Sequence, residues 1–376
     1  MDKGKLELVT ELRKKLHAAP ELSGQEAGTR KMLMEFLREH SSVEIFDRGK
    51  WFYALRRASC PEGKKRPNIA FRADMDAVAV DEAPGLPHMS RNPGVAHKCG
   101  HDGHCATLAA LALELDRPDL DRDVYFLFQH AEENGEGAKD CCAIIDECGV
   151  SEIYGLHNSP GLKKGHVELR EGTIMCASGG ITASFTGVST HASSPELGKN
   201  PAFAIAELIL SIPEMEDSSN YKGMTMCTVI HAETGTAGAF GVSASKGSLS
   251  VTCRARYDDD MEALERRFRE RAVSLANNYG LGCDFSLHDV FPATVNHEAG
   301  TRKVREAARI LGMPVEEMEE PTRGSEDFGH YLKRIPGAFF FIGSGDCPHL
   351  HSREFDFPDD IIETGVEIFK AIYNCT

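Results

Sequence analysis

The segment HKCGHDGH, residues 97–104, places three histidines, a cysteine and an aspartate within eight positions. Packing gives no reason for such a density of nitrogen, sulfur and oxygen donors, whereas a divalent cation does. More donors recur where apolar runs end. VYFLFQHAEE (124–133) runs into Glu132 and Glu133, IYGLH (153–157) into His157, and NIAFRADMDA (68–77) into Asp74 and Asp76. GAFFFIG (337–343) is followed by His349 and His351. Adjacent carboxylates suit a division of labour. One holds a metal while the other stays off it as general base to a water whose pKa the cation lowers toward about 7. Two ions sharing a ligand would lie about 3.5–4 Å apart, and a thiolate can bridge them.

These groups meet only if the elements around them converge. From residue 1 to about 177 the pattern alternates helix and strand. Helices are expected over 3–17, 24–40 and 103–116, and strands over 68–74, 124–133 and 153–157. Cys99 and His101 would then lie in the loop before the third helix. Buried strands interleaved with helices indicate an α/β sheet covered on both faces. Ligands in such sheets collect beyond the carboxyl ends of the strands. Residues 178–291 read instead as strand, helix, strand, strand, helix, strand, the βαββαβ order of a ferredoxin-like unit. The α/β pattern resumes with helices near 299–311 and 360–373 around GAFFFIG. The expectation is a catalytic α/β sandwich domain, 1–177 with 292–376, carrying an inserted ferredoxin-like domain over 178–291.

Size and composition agree with a two-domain globular chain, since 376 residues exceed one ordinary core. A net charge of −16 repels nucleic acid and anionic membrane. No apolar run approaches the roughly 20 residues of a membrane span. The amino terminus, charged throughout, lacks the apolar core of a signal peptide and reads as an amphipathic helix with Leu6, Val9, Leu12 and Leu16 on one face. Twelve cysteines without such a leader argue for reduced thiols and a cytoplasmic location. Most are expected to be small buried hydrophobes, with Cys99 the exception.

Each candidate also has a structural reading: a solvated turn for the glutamate pair, a hydrogen-bonded histidine after a strand, a helix cap for an aspartate. Their convergence on one sheet edge argues against all of these holding at once. A different chemistry would make Cys99 a nucleophile with His101 or His104 as its base. That scheme predicts inactivation by alkylation and indifference to chelators. Metal storage or ligand binding without turnover is a further alternative.

Eight stretches in order carry a resemblance: LRKKLHAAPELSGQE (12–26), FRADMDAV (71–78), HKCGHDGH (97–104), FQHAEENGEGA (128–138), GLH (155–157), FTGVSTHASSPELGKNP (185–201), GSEDFG (324–329) and HLHSREFDFPDD (349–360). With them the chain resembles the amidohydrolase branch of the aminoacylase/carboxypeptidase family of dinuclear metallopeptidases. Hippurate hydrolases, N-acetyl-diaminopimelate deacetylases and plant auxin-conjugate hydrolases belong to that branch. The resemblance implies two divalent ions per subunit, Mn²⁺ or Zn²⁺, with Co²⁺ or Ni²⁺ as substitutes. It implies Cys99 as the bridging thiolate, His101 and His157 on one ion, and Glu133 and His351 on the other. Glu132 would be the general base that later protonates the leaving amine. His191 would stabilise the oxyanion, in this family often across a dimer. The inserted domain would be lid and dimerisation domain, and the substrate a small N-acyl amino acid or a dipeptide. His97 and His104 would support the ligands.

The chain also departs from the family pattern. FQHAEE stands where members often have FQPAEE. Within GTAGAFGVSAS (235–245), Ala239 occupies the place of an asparagine implicated in binding the substrate carboxylate. His349 rivals His351 as last ligand, and the HS-x-x-FDF context favours His351. Many dipeptidase relatives carry an HxD motif and no bridging cysteine, so RADMDA with CGHD favours the amidohydrolase over the dipeptidase.

Overall fold

The computed structural model describes residues 1–60 and 65–375. In chain order its elements begin with α1 (Lys3–His17), α2 (Ala27–His40), β1 (Glu44–Asp47), β2 (Phe52–Arg56), β3 (Asn68–Asp74), α3 (His101–Glu114) and β4 (Val124–Gln129). Next come α4 (Gly137–Cys141), α5 (Ala143–Cys148), β5 (Val150–Pro160), β6 (Val167–Leu169), β7 (Gly172–Met175), β8 (Ala177–Thr186) and β9 (Thr190–His191). They continue with α6 (Ala202–Met215), β10 (Thr225–Thr234), β11 (Val242–Ser243), β12 (Lys246–Ala255), α7 (Asp258–Tyr279) and β13 (Gly282–Phe291). The last are β14 (Thr294–Asn296), α8 (Glu298–Leu311), β15 (Val315–Glu317), α9 (Gly329–Leu332), β16 (Gly337–Gly345) and α10 (Ile362–Asn374).

The chain divides into two compact units. The first comprises Met1–Ile174, Thr294–Pro321 and Glu326–Thr376, the second Met175–Ala293 and Thr322–Ser325. The first is built on an eight-stranded sheet of order β1-β2-β4-β3-β5-β16-β6-β15. Its centre, β4-β3-β5-β16, is parallel. β4 is buried along its whole length and β3 at every residue after Asn68. Continuous burial is what a parallel strand covered on both faces requires. α3 follows the same logic, because every residue from His101 to Leu113 is buried, and a helix apolar all round belongs inside a core. α1 buries Val9, Leu12 and Leu16, and its N-cap Asp2 accepts a hydrogen bond from the Lys5 N–H.

The second unit realises βαββαβ with an antiparallel sheet of order β10-β12-β8-β13. Burial alternates along β12 and over most of β8, so one face packs under α6 and α7 while the other meets water. Among the described residues no helix is long and apolar enough to cross a membrane.

Three expectations are corrected. β4 stops at Gln129 rather than running to Glu133, so the two glutamates lie in the turn beyond the strand. α3 begins at His101 rather than near Gly103, so only Cys99 precedes the helix. β5 continues to Pro160, so His157 lies inside a strand rather than at its end. The hairpin β1–β2 and the edge strands β6 and β15 carry too weak a period-two pattern to be read from sequence. β1 is half exposed, and β6 and β15 are three residues each.

Candidate metal centre

The backbone around Cys99 is set by a glycine. Gly100 caps α3 with φ of 101°, and a Cβ there would meet the Asn158 Oδ1 at 2.3 Å. Only glycine takes both the left-handed conformation and the close approach. Gly103, one turn on, faces the Phe357 ring at a would-be Cβ distance of 2.3 Å. It lets α3 lie against the segment carrying His351.

All the metal-ligand candidates fall in the first unit. Ligand atoms of Cys99, His101 and His157 lie within 4.8 Å of one another, as do those of Cys99, Glu133 and His351, and those of His101, Glu132 and Glu133. Cys99 belongs to the first two groups, with its Sγ 3.3 Å from His157 Nε2. The His351 Nε2 stands 3.5 Å from Glu133 Oε1, and the His101 Nε2 stands 3.7 Å from the same oxygen. His351 holds φ of 62° and donates its backbone N–H to Lys98 O at 2.7 Å. A non-glycine residue in that region is uncommon and persists only where its surroundings hold it. His351 and its rival His349 are both exposed, but His351 stands in a donor group with Cys99 and Glu133, while the His349 carbonyl accepts from Ser352 Oγ. Glu132 Oε2 is 3.9 Å from His101 Nε2.

Surrounding groups orient these rings. His101 Nδ1 pairs with the Asp76 carbonyl at 2.9 Å and His157 Nδ1 with the Asn158 carbonyl at 2.8 Å. A carbonyl can only accept, so each Nδ1 carries a proton and each Nε2 is left facing the cluster. Asp76 accepts from Ser23 Oγ at 2.7 Å and from the Glu133 N–H at 2.9 Å. His104 is held between Asp74 and Asn158, both at 2.7 Å.

The electrostatics call for positive charge. Burial, then the charges of Glu133, Glu132 and Asp74, push the Cys99 thiol far up. Burial works against charge on His101, yet Asp74, Asp76 and Glu133 lift its imidazole to about 10. Burial keeps His157 neutral, with its pKa well below the ordinary value. His101 Nε2 and Glu133 Oε1 are buried without a hydrogen-bond partner. A sulfur, nitrogen and oxygen set with orphaned donor atoms and excess negative charge fits divalent cations, which deprotonate a coordinating thiol outright.

Sequence reasoning missed the layer beneath. Arg72, buried in β3, donates to Asp74 at 2.7 Å, Glu326 at 3.0 Å, Asp327 at 2.9 Å and Gln129 at 2.9 Å. GSEDFG thus supplies the counter-charge for an arginine in an apolar strand, and that arginine was the available signal. His17, from the first motif, bridges Asp102 at 2.8 Å and Glu82 at 2.7 Å. Arg13 pairs with Asp356 at 2.6 Å and Asp359 at 2.8 Å.

His191 belongs to the second unit. It is exposed, its Nδ1 lies 2.6 Å from Ser193 Oγ, and its backbone pairs with Val242 in β11. That pairing sets the loop containing Ala239 and Phe240 beside it, with Phe240 almost wholly exposed.

Comparison with known proteins supplies the family. The model for peptidase family M20/M25/M40 matches residues 70–374. N-acetylcysteine deacetylase of Bacillus subtilis is 30% identical over 96% of this chain and 94% of its own. Thermostable carboxypeptidase 1 of Saccharolobus solfataricus is 30% identical over 95% of this chain and 92% of its own. The crystal structure of a dinuclear metal-binding M20 peptidase from Bacillus subtilis superposes with a TM-score of 0.82 at 27% identity, covering 99% and 98% of the two chains. The matched family, the shared fold and the clustered donors lead to one statement: this chain belongs to peptidase family M20/M25/M40 and is a metal-dependent hydrolase of amide bonds.

Proposed function

We propose that the protein hydrolyses the amide bond of N-acyl amino acids or related small amides at a centre of two divalent cations. The observation that carries this reading is a sulfur, nitrogen and oxygen cluster, buried at Cys99, His101 and His157 and open to solvent at His351, with a second carboxylate, Glu132, standing beside it. Cys99 would be shared between the ions, with His101 and His157 on one and Glu133 and His351 on the other. Bound there, Mn²⁺ or Zn²⁺ would lower the pKa of a water and polarise the amide carbonyl. Glu132 takes the water's proton as oxygen attacks the carbonyl carbon, then hands it to the amine nitrogen as the C–N bond breaks. The shifted pKa of Glu132, raised by burial and by Glu326, Glu133 and Asp327, suits a group that must hold that proton between the two steps. His191 would donate to the oxygen that gains charge. Ala239 offers no polar group toward a substrate carboxylate.

The likeness to a carboxypeptidase supports a second reading, in which the same centre cleaves dipeptides. A cytoplasmic location fits the twelve free cysteines. A homodimer through the second unit is supported by β10, an edge strand with Val229 and Ile230 exposed.

The test is turnover by chelator-stripped protein reconstituted separately with Mn²⁺, Zn²⁺, Co²⁺ and Ni²⁺, on N-acyl amino acids beside dipeptides. Multiple turnovers on N-acyl amino acids by reconstituted protein alone are expected. Preference for dipeptides would move the assignment to the second reading, and no turnover with any metal would overturn both.

A further inference from the structure

The two glutamates must point into the cluster, and the backbone that aims them is under strain. β4 ends at Gln129. Two residues on, Ala131 takes φ of 49°, one of three non-glycine residues with positive φ among those described. It immediately precedes Glu132 and Glu133. Residues with a Cβ enter this region at a cost, so something must hold the bend. One anchor is local: the Ala131 carbonyl accepts from the N–H groups of Glu136 at 3.2 Å and Gly137 at 3.0 Å. Gly137 comes so close that a Cβ there would lie 1.6 Å from the His130 carbonyl oxygen.

The second anchor comes from far away in sequence. Glu26 lies between α1 and α2 and is buried. Its Oε1 accepts the N–H of Ala131 at 2.8 Å, across 105 positions, and the N–H of Gly24 at 2.9 Å. The same segment supports the turn a second time. Ser23 Oγ donates at 2.7 Å to the Asp76 oxygen that receives the Glu133 N–H. A carboxylate bound to a backbone N–H away from water is among the stronger hydrogen bonds. Its loss leaves a buried amide unpaired at a residue already disfavoured in its conformation.

We propose that Glu26 is a positioning residue: its hydrogen bond to the Ala131 N–H holds the left-handed bend and so fixes where Glu132 and Glu133 point. This rests on the proposed function for the roles of those two carboxylates. Glu26 acts through backbone N–H groups and is not one of the proposed metal ligands. A misplacement of about 1 Å in a reacting group can cost about a hundredfold in rate, so the bond has leverage beyond its own strength.

The test uses the full chain and four variants, Glu26→Ala, Glu26→Gln, Ala131→Gly and Glu26→Ala/Ala131→Gly. Glu26→Ala should lower kcat on the order of tenfold or more while KM stays within about threefold. Glu26→Gln keeps an acceptor oxygen and should stay close to the parent. Glycine takes the left-handed region at no steric cost, so the double variant should recover most of the lost kcat, measured against Ala131→Gly alone. Calorimetric titration of metal-free protein with Mn²⁺ or Zn²⁺ should follow the same pattern, weakened in Glu26→Ala and restored in the double variant, because Glu133 rides on the same turn. A Glu26→Ala loss that Ala131→Gly leaves unrepaired in both readouts would make Glu26 an ordinary structural residue and overturn the inference. Unchanged kcat and metal affinity in Glu26→Ala would overturn it as well. If Glu26→Ala fails to fold, Glu26→Asp, which draws the acceptor back by one methylene, takes its place with the same expectations. Absence of turnover in the parent protein would count against the proposed function, while the metal titration would still decide the role of Glu26.

Discussion

Replacing Glu132 by glutamine removes the proposed base while keeping the shape of the side chain. Glu132 is 6% exposed and faces Glu133, Glu326 and Asp327, with Arg72 as the nearby cation. Burial first, then those three carboxylates, push its carboxyl well above the ordinary range. Loss of a positioned base lowers kcat by about 10²–10⁴, or ~3–5 kcal/mol of transition-state stabilisation. The fold should respond in the opposite sense. A carboxyl whose folded pKa is raised favours the fold below its unfolded value near 4.5. That advantage is lost as pH climbs through the folded value. The amide does not titrate. Metal-free Glu132→Gln should therefore gain stability relative to wild type between about pH 5 and about pH 8. The assays are steady-state hydrolysis by reconstituted protein and denaturant unfolding of stripped protein at both pH values. A kcat within about tenfold of wild type, with metal bound, would refute the base assignment. A stability difference independent of pH would refute the electrostatic account.

Arg72→Met strands the buried carboxylates of Asp74, Glu326 and Asp327 and should cost about 3–5 kcal/mol in guanidinium unfolding; a loss below about 1 kcal/mol would show that the cluster neutralises itself by taking up protons. Cys99→Ser removes the sulfur common to two donor groups, so calorimetric metal affinity should fall on the order of tenfold or more, and an unchanged isotherm would exclude a shared thiolate. Chelation should abolish turnover and metal should restore it, while thiol alkylation of loaded enzyme leaves turnover in place; the reverse pattern would revive Cys99 as nucleophile. Burial disfavours charge on His17, yet Asp102 and Glu82 raise its pKa above the ordinary value. Its stabilisation is therefore full below about pH 6.5 and is lost as pH rises through the folded value. The unfolding cost of His17→Gln should shrink over that range, and a cost that grows with pH would contradict the ion-pair assignment.

The α/β pattern of the first unit and the βαββαβ order of the second were legible because burial dictates period. FFFIG and VYFLF must be apolar throughout to be covered on both faces, and α7 must alternate to cover one side of a sheet. α3 starts earlier than its sequence suggests because Gly100 in the left-handed region, rather than a serine or aspartate, sits at its N-cap. β5 runs past the end its sequence suggests because its last residues, His157 to Pro160, are polar or strand-averse while still paired with β16.

Candidate donors can be picked out of the sequence, since clustering histidine, cysteine and glutamate has a chemical reason and little packing reason, and the structure brings Cys99, His101, Glu133, His157 and His351 into overlapping groups. What the chain order could not reveal is which far-apart charges neutralise one another. Arg72 finds Glu326 and Asp327 across 254 and 255 positions. His17 finds Asp102 across 85 positions, and Glu26 finds the Ala131 amide across 105. Sequence determines the kind of chemistry, because side-chain type sets what a group can bind or titrate. Tertiary structure decides the charge state and aim of each group, because burial and distance exist only after distant segments have met.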